Sequence, residues 1–310
     1  MATYLTLDGG TTNTRISLVR ENNVIDTVKF PVGAKAGIDG NSLLIKTVKD
    51  GISDILSRNN VKECDVCAVL ASGMITSEFG LYKLDHTLLP TGISELHNTS
   101  CKVTLDDISP IPFVFIRGIK ATGKELSDCD MIRGEETELM GIMSENDCVY
   151  VLPGSHSKII KVNCDGKITD FRTALTGEMF WALSQNTILK GTLDISDSTC
   201  DTEYLLMGYD YCTKHGINEA LFKTRVLKAM FNTTVTQVNS YFLGVILSQE
   251  IKIITDLAPK KVIIGGRRQF KDALCDILKS RTDIEVKRLS EQDVDLSVCR
   301  GAIKIYEYKE

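Results

Sequence analysis

The sequence predicts a mixed α/β chain built as two similar units, and three observations carry that prediction. An antiparallel meander opens the chain, with apolar strands over residues 4–7, 15–20 and 24–30 joined by a long polar turn and by Glu21-Asn22-Asn23. The same order returns later in the chain: Val149-Tyr150-Val151-Leu152, the turn Pro153-Gly154-Ser155-His156-Ser157, a strand over 158–162, the turn Asn163-Cys164-Asp165-Gly166, and a strand over 167–171. Each meander is followed by stretches of helical spacing and by short apolar strands, the pattern of a mixed sheet covered by helices.

The elements follow in order. Apolar residues near helical spacing predict a helix over 43–56, and the run over 66–70 reads as a buried strand. Loops bearing Gly and Pro then extend to about residue 109, before a strand over 113–116 and a helix over 131–143. After the second meander come helices over 178–189, 219–231 and 235–257. A buried strand over 261–264 runs into Gly265-Gly266, followed by a helix over 269–279, a strand over 285–289 and a last helix over 296–306. No low-complexity segment separates the halves, so the expected domains are 1–145 and 146–310, packed closely with a cleft between them.

A chain of 310 residues is long enough for two buried cores. Its 43% hydrophobic and 25% charged residues are ordinary for a globular protein, and no apolar run approaches the roughly 18 residues that span a bilayer. The start, Met1-Ala2-Thr3-Tyr4, carries neither a basic segment nor an apolar signal region, which predicts a cytoplasmic protein. Ten scattered cysteines in a chain that needs no staples read as reduced thiols, and Cys64-Asp65-Val66-Cys67 stands without a second pair. Four histidines far apart in sequence offer no zinc ligand set. A net charge of −5, with Lys and Arg evenly spread, leaves no footprint for nucleic acid.

The polar turns carry the chemistry. A hairpin needs only two turn residues, yet Gly9-Gly10-Thr11-Thr12-Asn13 is longer and richer in hydroxyl and amide groups than reversal demands. Successive backbone N–H groups beside hydroxyls form a nest for phosphate oxygens, although a solvated hairpin tip would satisfy the same residues. Asp8, at the strand end, can hold the Mg²⁺ that travels with a nucleotide. Gly154, Ser155, His156 and Ser157 supply a second nest at the equivalent place, so that two nests facing each other could clamp the phosphates. Gly265-Gly266 would let backbone approach a flat ligand such as adenine. Between the nests, Arg133-Gly134-Glu135-Glu136-Thr137-Glu138 reads either as a helix start whose acids suit the macrodipole or as the source of a general base, Glu135 or Glu136.

These motifs resemble those of the acetate and sugar kinase, actin and hexokinase superfamily, and the closer resemblance is to 2-dehydro-3-deoxygalactonokinases. That family's Asp-x-Gly-Ser/Thr-Thr-Asn-x-Arg start is matched from Asp8 to Arg15, and its Gly-Met-x-x-Ser segment from Gly73 to Ser77. Met-x-Arg-Gly-Glu-Glu-Thr falls at Met131 to Thr137, Pro-Gly-x-His-x-Lys at Pro153 to Lys158, and Asp-Phe-Arg-Thr-x-x-Thr-Gly-Glu at Asp170 to Glu178. Four residues depart from the pattern. Gly9 stands where tryptophan is frequent, which is expected to loosen packing under the first turn; Ile159 also replaces a frequent tryptophan, and Arg267-Arg268 replace small or hydroxyl residues after the glycine pair.

The resemblance implies a two-domain actin-like ATPase (ribonuclease H-like) fold and transfer of the ATP γ-phosphoryl group to the 6-hydroxyl of 2-dehydro-3-deoxy-D-galactonate. It implies Mg²⁺ at Asp8, a base at Glu135 or Glu136, and nucleotide contacts from Gly10, Thr11, Thr12, Asn13, Gly154, Ser155, His156, Ser157, Gly265 and Gly266. Met74, Arg133, Lys158, Arg172, Thr173 and Thr176, in motif blocks, and Ser72, just before one, are expected to meet the sugar acid, with Arg172 first in line for its carboxylate. The expected partners are ATP and the sugar acid, a homodimer being compatible with the sequence. An exopolyphosphatase-like hydrolase and a non-catalytic nucleotide sensor are the alternatives, the latter without an appended helix-turn-helix domain.

Overall fold

A computed structural model describes residues 2–38, 40–194, 196, 199–266 and 268–309. Two compact units emerge. One comprises the chain up to Asn146 together with Gly166–Asp170 and the segment from Gln292 onward; the other comprises Asp147–Asp165 and Phe171–Glu291. The expected division at 145/146 differs from this partition chiefly at the last helix, which returns to the first unit.

The first unit begins with β1 (Thr3–Gly9), β2 (Thr14–Arg20) and β3 (Asn23–Phe30), followed by α1 (Ser42–Arg58) and β4 (Ala68–Gly73). Then come β5 (Thr87–Leu88), α2 (Ile93–Thr99), β6 (Cys101–Leu105), β7 (Ser109–Phe115), β8 (Ile119–Ala121), β9 (Asp130–Ile132) and α3 (Glu135–Ile142). The main sheet has the order β3-β2-β1-β4-β7-β6, and β5-β8-β9 form a small second sheet. β1 pairs antiparallel with β2 and parallel with β4, so it lies inside the sheet, and its Leu5 and Leu7 are buried. Leu44, Val48, Ile52 and Ile55 of α1 recur at helical spacing and join that core with Ile16 and Leu18.

The second unit holds β10 (Cys148–Leu152), β11 (Ser157–Val162), the later part of β12 (Ile168–Ala174), α4 (Thr176–Asn186), α5 (Thr202–His215), α6 (Ile217–Met230) and α7 (Val235–Asp256). β13 (Lys261–Ile264), α8 (Arg268–Arg281) and β14 (Glu285–Arg288) complete it before α9 (Glu291–Tyr306). Its sheet order, β12-β11-β10-β13-β14, repeats the first five strands of the main sheet of the first unit, with an antiparallel meander followed by two parallel strands. Val149, Val151, Val262 and Ile264 pack against Leu243, Ile246 and Leu247 of α7 and Leu274 and Leu278 of α8.

Two expectations need correction. The helix placed over 131–143 is a short strand followed by a helix, because Gly134 at φ +113° breaks the chain between β9 and α3. The stretch read as loops up to about 109 carries β5, α2 and β6. The last helix is tied to the first unit at three points: the Tyr4 hydroxyl donates to Glu307 Oε1 at 2.8 Å, Thr6 Oγ1 lies 3.0 Å from Cys299 Sγ, and a Cβ on Gly301 would stand 1.8 Å from Thr137 O. The ten cysteines are free, and no helix among the described residues is long and apolar enough to cross a membrane.

Candidate active site

The first turn leaves β1 at Asp8. Gly10 N–H donates to Asn13 O at 2.8 Å, closing the turn, while Thr11, Thr12 and Asn13 are exposed. From beneath, Ala34 N–H donates to Gly10 O at 3.0 Å and Lys35 N–H to Thr11 O at 2.9 Å. The approach is so close that a Cβ on Gly33 would lie 2.5 Å from Gly10 O. Because N–H and C=O of a trans peptide point in opposite directions, pinning these carbonyls from one side turns the following amide groups toward the other.

Gly9 does not loosen the packing under this turn, contrary to expectation. Its Cα faces Gly73 across the parallel β1/β4 ladder, and an added Cβ would meet Ile75 Cβ at 2.7 Å and Ile75 N at 2.9 Å. The space that a side chain would need is filled by the Ile75 backbone.

Asp8 accepts from Arg15 Nη2 at 3.0 Å through Oδ2. Burial raises its pKa above the ordinary carboxylate range, Arg15 opposes the rise, and the neighbouring charge of Glu135 adds to it. Glu135, the first residue of α3, is partly accessible, and its Oε2 accepts from Arg133 N–H at 3.0 Å. Glu136 differs sharply: it is 0% exposed, its two carboxyl oxygens accept from Gly134 N–H at 2.9 and 2.7 Å, and Thr137 Oγ1 donates to it at 3.1 Å. Burial, then the charge of Glu135, pushes its pKa up to about 7. Asp8, Gly10, Asn13, Thr14, Arg15 and Lys29 line a pocket of about 500 Å³ in this unit.

The other predicted residues of the first unit fall around this corner. Ser72 is buried opposite Asp8 in the β1/β4 register, with no hydrogen-bond partner for its hydroxyl among the described residues, and Met74 follows at a half-buried turn. Arg133 spends its guanidinium on structure: Nη1 donates to Thr76 O at 2.8 Å and to Thr76 Oγ1 at 2.5 Å, and Nη2 to Leu84 O at 3.2 Å.

The second turn is built in the same way. Gly177 N–H donates to Gly154 O and Glu178 N–H to Ser155 O, each at 3.1 Å, and a Cβ on Gly177 would stand 2.4 Å from Gly154 O. Gly154 N–H donates to the buried Ser157 Oγ at 3.3 Å, and Ser155 and His156 are exposed. His156 Nε2 lies 3.0 Å from Glu178 Oε1, and Lys158, 5% exposed, donates from Nζ to His156 O at 2.9 Å. Gly265 N–H donates to Val151 O at 2.9 Å, and Gly266, at φ +72°, comes so near that a Cβ would meet Pro153 O at 2.4 Å. The glycine pair therefore lies against the second turn. Arg172 and Thr173 are half-buried on β12, while Thr176, expected to meet the sugar acid, is buried with its hydroxyl spent on Glu250 instead, and Arg267 lies outside the described residues. A pocket of about 610 Å³ between α5 and α8 is lined by none of the predicted site residues.

Sequence reasoning missed Gly33, Gly177 and Glu250 as parts of these turns. The first two lay inside unremarked or already quoted segments, and only the close backbone approach gives them meaning.

The fold defines the class. Over 97% of both chains, the protein superposes with a TM-score of 0.80 and 18% identity on the crystal structure of a Sinorhizobium meliloti protein provisionally described as a 2-dehydro-3-deoxygalactonokinase. It also matches component A of the Acidaminococcus fermentans (R)-2-hydroxyglutaryl-CoA dehydratase, at a TM-score of 0.54 and 14% identity, over 99% of this chain and 98% of that one. This is the actin-like ATPase fold shared with sugar kinases. The chain belongs to the 2-keto-3-deoxy-galactonokinase family, whose sequence model matches residues 8–303. It is 22% identical to the 2-dehydro-3-deoxygalactonokinase of Escherichia coli K12 over 264 residues, 82% of this chain and 81% of that one. Family membership does not favour the hydrolase and sensor alternatives.

Proposed function

We propose that the protein transfers the γ-phosphoryl group of ATP to the 6-hydroxyl of 2-dehydro-3-deoxy-D-galactonate. The observation that supports the residue assignment is the packing of the start of α3 against the end of β4 beside Asp8: a Cβ on Gly134, next to Glu135, would stand 3.1 Å from Gly73 Cα, and one on Gly73 3.6 Å from Asp8 Oδ1. Glu135 is the general base: it is partly accessible and accepts the hydroxyl proton as the oxygen attacks phosphorus. Glu136, sealed and bonded to Gly134 N–H, shapes the start of α3 instead.

Gly10, Thr11, Thr12 and Asn13 bind phosphate oxygens in the first unit, as do Gly154, Ser155, His156 and Ser157 in the second. Gly265 and Gly266 receive the nucleotide base. Among the described residues no three His, Cys, Asp or Glu side chains gather around a metal position, so a divalent ion would take one carboxylate, Asp8, and otherwise phosphate oxygens and water. Asp8 suits that part, since Arg15 occupies Oδ2 and leaves Oδ1. Mg²⁺ bound there would neutralise phosphate charge. Arg172, half-buried on β12 in a motif block of the family, selects the substrate carboxylate through its guanidinium fork.

A coupled assay for ADP release against a panel of 2-keto-3-deoxy sugar acids and neutral sugars tests the reading. Turnover that needs both ATP and the galactonate derivative is expected. ADP release independent of any sugar acid would overturn it.

A further inference from the structure

α7 buries a carboxyl group beneath the second turn, and nothing in the proposed chemistry uses it. Glu250 is 0% exposed, and its Oε2 accepts from Thr176 Oγ1 at 2.5 Å. Thr176 opens α4 and immediately precedes Gly177 and Glu178, whose N–H groups pin the carbonyls of Gly154 and Ser155. Ser157 approaches the same carboxyl from the other end of the turn. Burial raises the pKa of Glu250, and the two hydroxyls pull it back. Oε1 has no hydrogen-bond partner among the described residues.

We propose that Glu250 is a positioning residue for nucleotide binding: by holding Thr176 at the start of α4, next to the N–H groups that pin Gly154 and Ser155, it sets the turn 154–157 so that its amide groups face phosphate. The inference rests on the assignment of that turn to ATP and goes beyond it by giving a buried residue on a distant helix control over ATP affinity alone. A group that only filled space would change stability and leave the two Michaelis constants moving together.

The test compares wild type with Glu250→Ala, Glu250→Gln and Thr176→Val. ATP and sugar-acid kinetics are measured with direct binding of N-methylanthraniloyl-ATP and with the unfolding temperature. Glu250→Ala and Thr176→Val should each raise KM for ATP and the Kd of the fluorescent nucleotide by roughly tenfold, the loss of one hydrogen bond to a carboxylate. KM for the sugar acid should stay within about twofold, and Glu250→Gln, which keeps an acceptor for Thr176, should recover most of the affinity. Should Glu250→Ala fail to fold, Thr176→Val decides alone, since it removes only the hydroxyl. Unchanged nucleotide affinity in folded variants, or equal shifts in both Michaelis constants, would overturn the role of Glu250 while wild-type turnover keeps the kinase reading intact. A wild type that binds no nucleotide would instead bring down the reading itself.

Discussion

Glu136 makes the stability of the first unit depend on pH in a direction opposite to that of most paired carboxylates. Its carboxyl is 0% exposed, and its pKa rises from 4.5 to about 7. Between those values the folded chain holds a proton that the unfolded chain has released. Unfolding free energy therefore falls as pH rises through this window and levels off above pH 7. The stabilisation is complete below the unfolded pKa and lost above the folded one. A shift of this size corresponds to about 3 kcal/mol. Glu136→Gln keeps a carbonyl oxygen for Gly134 N–H and Thr137 O–H but cannot ionise, so whatever constant offset its amide introduces is the same at every pH. Urea denaturation of both proteins at half-unit steps from pH 5 to 8, with hydrogen exchange of α3 amides to follow the correct unit, isolates the effect. The variant should gain about 2.5 kcal/mol on wild type between pH 5 and 8, since part of the effect is already spent at pH 5. A difference that stays flat with pH would refute the reasoning, because it would mean that the buried carboxyl does not change protonation in this range.

Four further outcomes follow from the site. Glu135→Gln should lower kcat by roughly 10²-fold or more with little change in KM, whereas Glu136→Gln should not, and steady-state kinetics of the two neighbours side by side decides which is the base. Asp8→Asn should abolish Mg²⁺-dependent turnover and leave the circular dichroism spectrum unchanged. Gly9→Ala, which drives a Cβ to 2.7 Å from Ile75 Cβ, should cost about 1–3 kcal/mol, seen as a lower unfolding temperature, and equal stability would show that Ile75 can yield. Arg172→Ala should raise KM for the sugar acid by more than about tenfold and leave KM for ATP in place, and unchanged constants would move the carboxylate to another cation.

Much of the fold could be read because its periodicities are local. β13 is a short apolar run ending on glycine, and α1 declares itself through Leu44, Val48, Ile52 and Ile55. α5 escaped notice for a tertiary reason. Gly208 in its middle reads as a break, yet it is there because a Cβ would stand 2.0 Å from Tyr241 O of α7, where Gly244 in turn meets Leu205 O at 2.0 Å. The two helices touch backbone to backbone, and no pattern within either announces the other. β9 was absorbed into the helix after it because Met131 and Ile132 continue an apolar spacing that Gly134 interrupts.

The site shows the same limit in sharper form. Residues that present polar groups, Asp8 and the two turns, were legible because their composition exceeds what chain reversal needs. The residues that aim those turns were not, since they act through position. Gly33 and Gly177 are far from each other in sequence, yet each lets two successive N–H groups rise against the first two carbonyls of a turn: Ala34 and Lys35 under Gly10 and Thr11, Gly177 and Glu178 under Gly154 and Ser155. The internal repeat is therefore deeper than the meanders suggest. It includes the device that orients each turn, and it differs at one point: the second turn also rests on the Glu250 carboxyl through Thr176. A side chain at Gly33 or Gly177 would collide with a carbonyl at 2.5 or 2.4 Å and could be accommodated only by moving the turn itself. The course of each turn is thus set by a glycine that has no chemistry of its own to offer.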